Sequence, residues 1–62
     1  MFGKEKYRVK ILVKGKVFTL EIECPSGFDN ASYFAKSKLE KLHPEFDWFD
    51  MKTYFIRVVG VQ

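Results

Sequence analysis

Sulfur and imidazole are scarce in this 62-residue chain, which has one cysteine, Cys24, and one histidine, His43. A single cysteine excludes an intrachain disulfide, and one residue of each type excludes a Cys/His zinc site. Gly3, Gly15, Gly27 and Gly60 are isolated from one another, so there is no glycine-rich phosphate loop. No apolar run is long enough to span a bilayer. The opening segment Met1–Lys6 is polar and mixed in charge, without a signal-peptide core, and Gly3 is not placed for myristoylation. An unpaired thiol without an export signal leads us to expect a cytoplasmic protein that does not associate with membranes. Repeats, low-complexity tracts and linkers are absent too, so the chain reads as one domain over 1–62, with residues 1–5 as a flexible tail.

What is present must then supply the stability. A domain this small buries only about 60% of its unfolded surface. Aromatics make up 18% of the chain, seven of them Phe, and each removes roughly 150–250 Å² from water when buried. The clearest pattern is a pair of alternating runs, Tyr7–Lys14 and Val17–Cys24. Tyr7, Val9, Ile11 and Val13 are apolar in the first, and Phe18, Leu20, Ile22 and Cys24 in the second. A two-residue type II′ turn at Gly15-Lys16 sets Lys14 opposite Val17. Val13 then faces Phe18, Ile11 faces Leu20 and Val9 faces Ile22, while Lys10 meets Glu21 and Arg8 meets Glu23 on the other side. Apolar pairs share one face and opposite charges meet on the other, as cross-strand energetics favour.

Pro25-Ser26-Gly27 ends the second strand. A helix is expected from Asp29 or Asn30, either of which can cap its free amides, to about His43, because Pro44 disfavours helical geometry in the preceding residue. Phe28 is placed to act as a hydrophobic staple. Ala31, Phe34, Ala35, Leu39 and Leu42 form the apolar stripe. Lys38 falls within that stripe, its stem covering apolar surface while its amine reaches water. A third strand at Met51–Val59 is read with Tyr54, Ile56 and Val58 inward and Phe55, Arg57 and Val59 outward, which keeps Arg57 out of the core. The result is an α+β fold of order β-β-α-β. A right-handed crossover carries the third strand past the second to pair with the first, giving an antiparallel sheet of order 2-1-3 with one helix on one face. The other face and both edges stay open.

Cys24 and His43 are of nucleophile and base type, and Asp29 would complete a triad on paper. No nucleophile signature surrounds Cys24, its parity is that of a core residue, and His43 suits a helix C-terminus. Asp47 and Asp50 pair two carboxylates without any neighbour that would raise a pKa. We therefore expect no enzyme, no metal, no cofactor and no small-molecule substrate.

The net charge of +3, from 11 Lys/Arg and 8 Asp/Glu, is compatible with polyanions without demanding them. Two binding readings follow. In the first, the chain is a small protein-interaction module whose partner is another protein or a second copy. The segment Glu45–Asp50 carries it: Phe46, Trp48 and Phe49 alternate with acids including Asp47 and Asp50, an aromatic cluster whose flanks select a basic partner. Leu12, Val17, Phe55 and Val59 would give the open sheet face an apolar component for self-association. In the second, the outer sheet face holds single-stranded nucleic acid through Arg8, Lys10, Phe55 and Arg57, cations beside an aromatic ring.

The strand Val9–Val13, the Gly15 turn, the strand Phe18–Ile22, the helix with Ala31 and Ala35, and the closing strand Phe55–Val59 resemble, in architecture, the small stand-alone β-β-α-β proteins of unknown role among bacteriophage accessory proteins. The aromatic segment Phe46–Phe49 departs from the plainer loops of that group. The resemblance implies the fold and assigns no active residue.

Overall fold

The computed structural model describes residues 4–61. Strand β1 (Lys4–Val13) and β2 (Lys16–Pro25) form the hairpin, helix α1 (Phe28–Leu42) crosses over it, a short 3-10 turn η1 (Trp48–Asp50) follows, and β3 (Lys52–Val61) closes the sheet. The sheet order is β2-β1-β3, with both pairings antiparallel. This is the expected α+β layout, with the most regularly patterned strand at the centre. Lys4 and Glu5 belong to β1 and are not tail; residues 1–3 of the expected tail lie outside the described residues.

The hairpin register differs from the expected one by two residues. Val9 pairs with Leu20, Ile11 with Phe18, Tyr7 with Ile22 and Arg8 with Glu21. The turn is Lys14-Gly15, not Gly15-Lys16, and both residues have positive φ (52° and 75°), as a type I′ turn requires. Left-handed backbone at Lys14 costs about 1–2 kcal/mol. The exchange extends the ladder to Lys4↔Pro25, rungs that the other register lacks. Because the slip is even, every side chain keeps its face. Tyr7, Val9, Ile11 and Val13 are buried with Leu20, Ile22 and Cys24 beneath the helix.

Helix α1 rests on this surface through Ala31, Ala35 and Leu39 and lies mainly over β2. Its two small residues allow a close approach, and the contact row is narrow. Phe34 and Leu42, expected in the apolar stripe, remain exposed as a result. Phe34 leans over the free edge of β2, and Leu42 ends the last turn. The helix also begins earlier than expected. Gly27, at φ 134°, occupies the cap position, and neither Asp29 nor Asn30 caps it. Such a φ is rare for any residue with a Cβ. The Gly27 N–H donates to the Tyr7 hydroxyl at 2.8 Å, and that hydroxyl donates to Glu5 Oε1 at 2.9 Å. The helix start is thus held from β1, and Asn30 reaches back to donate to the Ser26 carbonyl. Phe28, now the first helical residue, is exposed and lies edge-on to the Tyr7 ring, so it is not a staple.

Strand β3 breaks the expected alternation twice. Lys10 pairs with Phe55 but Ile11 with Thr53, which leaves Tyr54 as an extra residue; Tyr7 pairs with Val58 but Lys6 with Gly60, which leaves Val59. Both are β-bulges. Ile56 and Val58 do share the helix-side face with Val9 and Tyr7, and Phe55 and Arg57 the outer face with Lys10 and Arg8. Tyr54 and Val59 leave the inward and outward sets respectively. The first bulge also moves Lys52 to the outer face, opposite Leu12, and Thr53 to the helix side, where its hydroxyl bonds Ser32 at 2.9 Å.

Candidate interaction surfaces

The connection from α1 to β3 folds from its ends. The His43 N–H donates to the Leu39 carbonyl at 2.8 Å and closes the helix. Its ring packs between Phe18 (5.1 Å) and Phe46 (5.6 Å), and its Nδ1 lies 3.4 Å from Glu45 Oε2. Phe46 also meets Phe18 directly, at 5.5 Å, and joins the edge of the core. The turn η1 is then pinned by its own chain. Asp47 accepts from the Phe49 N–H at 3.0 Å with its side chain, the Asp47 carbonyl accepts from Asp50 N–H, and the Met51 N–H donates to Trp48. Asp50 pairs with Lys14 of the hairpin turn at 3.3 Å. Met51 is buried behind it.

The expected aromatic site therefore divides. Phe46 is a core-edge residue, because the chain must cover Phe18 where the helix stops. Trp48 is half-buried against the Tyr33 ring at 5.3 Å. Phe49 is 90% exposed, although its backbone is held on both sides. Asp47 and Asp50 are turn-forming and ion-paired rather than free. Tyr33, 60% exposed, and Phe34 continue the surface, their rings 5.6 Å apart. The sequence reading missed both as surface residues. The available signal was Tyr33, which lies off the apolar stripe of its helix on the side opposite Ala31 and Ala35.

On the outer sheet face the four residues of the second reading do come together. Arg8 stands directly opposite Arg57, and Lys10 opposite Phe55, with Lys10 Nζ 5.3 Å from the ring centroid. The expected Lys10–Glu21 and Arg8–Glu23 pairs are replaced. Glu21 takes both Arg8 (2.9 Å) and Lys6 (3.7 Å). A hydrogen bond from Arg8, aided by the charge of Lys6, holds the Glu21 carboxyl below its ordinary range. The acids of β2 thus neutralise the β2 side of this face. Among the described residues, Lys10, Lys52 and Arg57 have no acidic partner within 4 Å.

At the free edge of β2, Lys38 Nζ donates to the Glu21 carbonyl at 3.1 Å, so its amine covers an edge acceptor instead of water alone. A groove of about 460 Å³ runs there, lined by Ile22, Phe34, Lys38 and Lys41 among others. A smaller one of about 250 Å³ opens at the helix start between Tyr7, Phe28 and Val58. Bonds from Ser26 and then Tyr7 lower the pKa of Glu5 beside it.

Cys24, His43 and Asp29 are not brought together. Asp29 is in the first turn of α1 and His43 follows its last, about 20 Å apart along the axis. Cys24 is buried opposite Glu5, and burial, with the Glu5 charge, pushes its thiol pKa up, away from a reactive thiolate. Among the described residues no three His, Cys, Asp or Glu side chains are grouped to hold a metal ion. Among the described residues no helix is long and apolar enough to cross a membrane. Comparison with protein-family models, with curated proteins and with solved structures finds no match to this chain.

Proposed function

We propose that this chain is a small non-enzymatic protein-interaction module that docks through Phe49, with Trp48 and Tyr33 as the surrounding platform. The observation that carries this reading is the 90% exposure of Phe49 on a turn held by side-chain and backbone hydrogen bonds. An exposed ring on mobile chain would lose conformational freedom on binding; here that loss is largely made during folding. Large apolar groups presented together on a small protein mark contact sites. Asp47, which precedes the ring in the turn and has no cationic partner among the described residues, favours a basic partner, and Lys38 and Lys41 on the same helix side as Phe34 make a second copy a chemically suitable one. A cytoplasmic location fits the buried, unpaired thiol of Cys24.

Sedimentation over a wide concentration range tests the homotypic form. A dimer that Phe49→Ala abolishes, with denaturation midpoints unchanged within about 0.5 kcal/mol, is the expected result. A strict monomer at all concentrations removes self-association and transfers the reading to a separate protein. Immobilised wild type should then retain a protein that immobilised Phe49→Ala does not, and equal retention would overturn the reading.

A further inference from the structure

We infer that the β3 side of the outer sheet face is a binding site for single-stranded nucleic acid, with Phe55 as a base-stacking platform and Lys10, Lys52 and Arg57 as phosphate contacts. This site is separate from the Phe49 surface and stands independently of it.

The inference rests on where the bulge at Tyr54 places charge. With uninterrupted alternation, Lys52 and Phe55 would lie on opposite faces of β3. The extra residue at Tyr54 brings Lys52 onto the outer face opposite Leu12, two rungs from the Lys10↔Phe55 pair and next to it on that face. Arg57 lies two rungs away in the other direction, again the next pair on the same face. Three cations therefore surround one 40%-exposed ring on a strip about 15 Å long. Like charges set opposite one another across a ladder are unfavourable, as Arg8 and Arg57 are here. Arg8 is relieved by Glu21, while Arg57 has no acid within reach among the described residues. The acids of this face all lie on the β2 side, which leaves the β3 side complementary to a polyanion. The ring selects among polyanions. Nucleobases offer a flat π surface to stack on, which heparin-like chains, acidic peptides and lipid headgroups lack.

Lys10 covers the Phe55 ring in the free chain. An exposed cation–aromatic contact is worth a factor of about two to five, and a base stack about five- to a hundredfold, so an arriving base displaces the amine towards its own phosphate. The sheet reads no base edge by hydrogen bonding in this arrangement, so weak sequence preference is expected.

Fluorescence anisotropy with a labelled oligo-dT strand at low salt tests the site. Saturable binding is expected, with a log–log salt slope near −2, about 0.7 for each of three phosphate contacts. Phe55→Leu, which keeps apolar bulk and loses the π face, should weaken binding about tenfold. Arg57→Gln should reduce the slope by about 0.7. Phe49→Ala should leave both quantities unchanged, which separates this site from the docking surface. Circular dichroism on each variant shows whether the fold is kept. Absence of binding at low salt overturns the inference. So does equal affinity for duplex DNA or heparin with Phe55→Leu indistinguishable from wild type, since the face would then be only a generic cationic surface.

Discussion

On its β2 side, β1 pairs without interruption from Lys4↔Pro25 to Val13↔Lys16; on its β3 side the ladder slips at Tyr54 and again at Val59. The regular side lies under the helix, its cations Lys6 and Arg8 are matched to Glu21, and its edge carbonyl at Glu21 is covered by Lys38. The irregular side is only partly covered, leaves Val58 and Phe55 exposed, and carries cations without acids. One strand thus separates a half whose interactions are satisfied internally from a half whose charge and rings are directed outward. The difference indicates that the hairpin and helix hold the fold, while β3 and the turn before it present surface.

The largest expected effect lies on the strand that the two sides share, where lost packing is felt by both. Ile11, fully buried between Phe18 and Thr53, should lose about 2–5 kcal/mol on substitution by Ala, comparable with the whole stability of so small a domain. Ile11→Ala should therefore be largely unfolded by circular dichroism. Next in size is Tyr7→Phe, which strips the hydroxyl that accepts the Gly27 N–H and leaves the helix start without its partner. A loss of about 1–3 kcal/mol in a denaturant titration is expected. Gly15→Ala places a Cβ in left-handed backbone and should cost about 1–2 kcal/mol, whereas Lys14→Asn, better tolerated at positive φ, should move the midpoint the other way. On the irregular side Val58→Ala should lose under about 1 kcal/mol, because the residue is already 40% exposed. Leu20→Ala, on the buried face of β2, should lose about 2–5 kcal/mol, and equal losses at Leu20 and Val58 would sink the contrast between the two sides.

The smallest effect is a pH dependence that sharpens it. Glu5 and Glu21 both have pKa values lowered by folding, so the unfolded chain binds more protons than the folded one in the acid range. Their contribution is complete above the ordinary carboxylate range and is lost as pH falls through the folded values. Midpoints recorded from neutral to acid pH should therefore fall, and Glu21→Gln should remove one part of the slope while the part owed to Glu5 persists. Both groups bond to residues of the hairpin or its junction with the helix, so no comparable slope should come from β3.

Much of the fold was legible in the chain. Alternation in the hairpin, helical spacing at Ala31, Ala35 and Leu39, and the need to cross over one strand led to the β-β-α-β order and the central place of β1. The faces of the hairpin survived an error of two residues in register because side chains alternate with a period of two. The ion pairs did not survive it, since Arg8 and Glu21 meet only when the turn is Lys14-Gly15. The candidate sites were read less well. Phe46, Trp48 and Phe49 look equivalent along the chain, yet one packs on Phe18, one leans on Tyr33 and one stands free. Lys52 was not visible as a neighbour of Phe55, because a bulge leaves no clear mark in local composition.

Local pattern alone determined which residues alternate, the type and order of the elements, and that the chain has neither disulfide nor zinc cluster to hold it. These are properties of short stretches, governed by periodicity and by residue chemistry. Tertiary packing decided the turn type, the two bulges, the ring that remains exposed and the cations left without acids. Each of those depends on which distant segment covers a given backbone group or side chain, and that is settled only when β3 closes against β1.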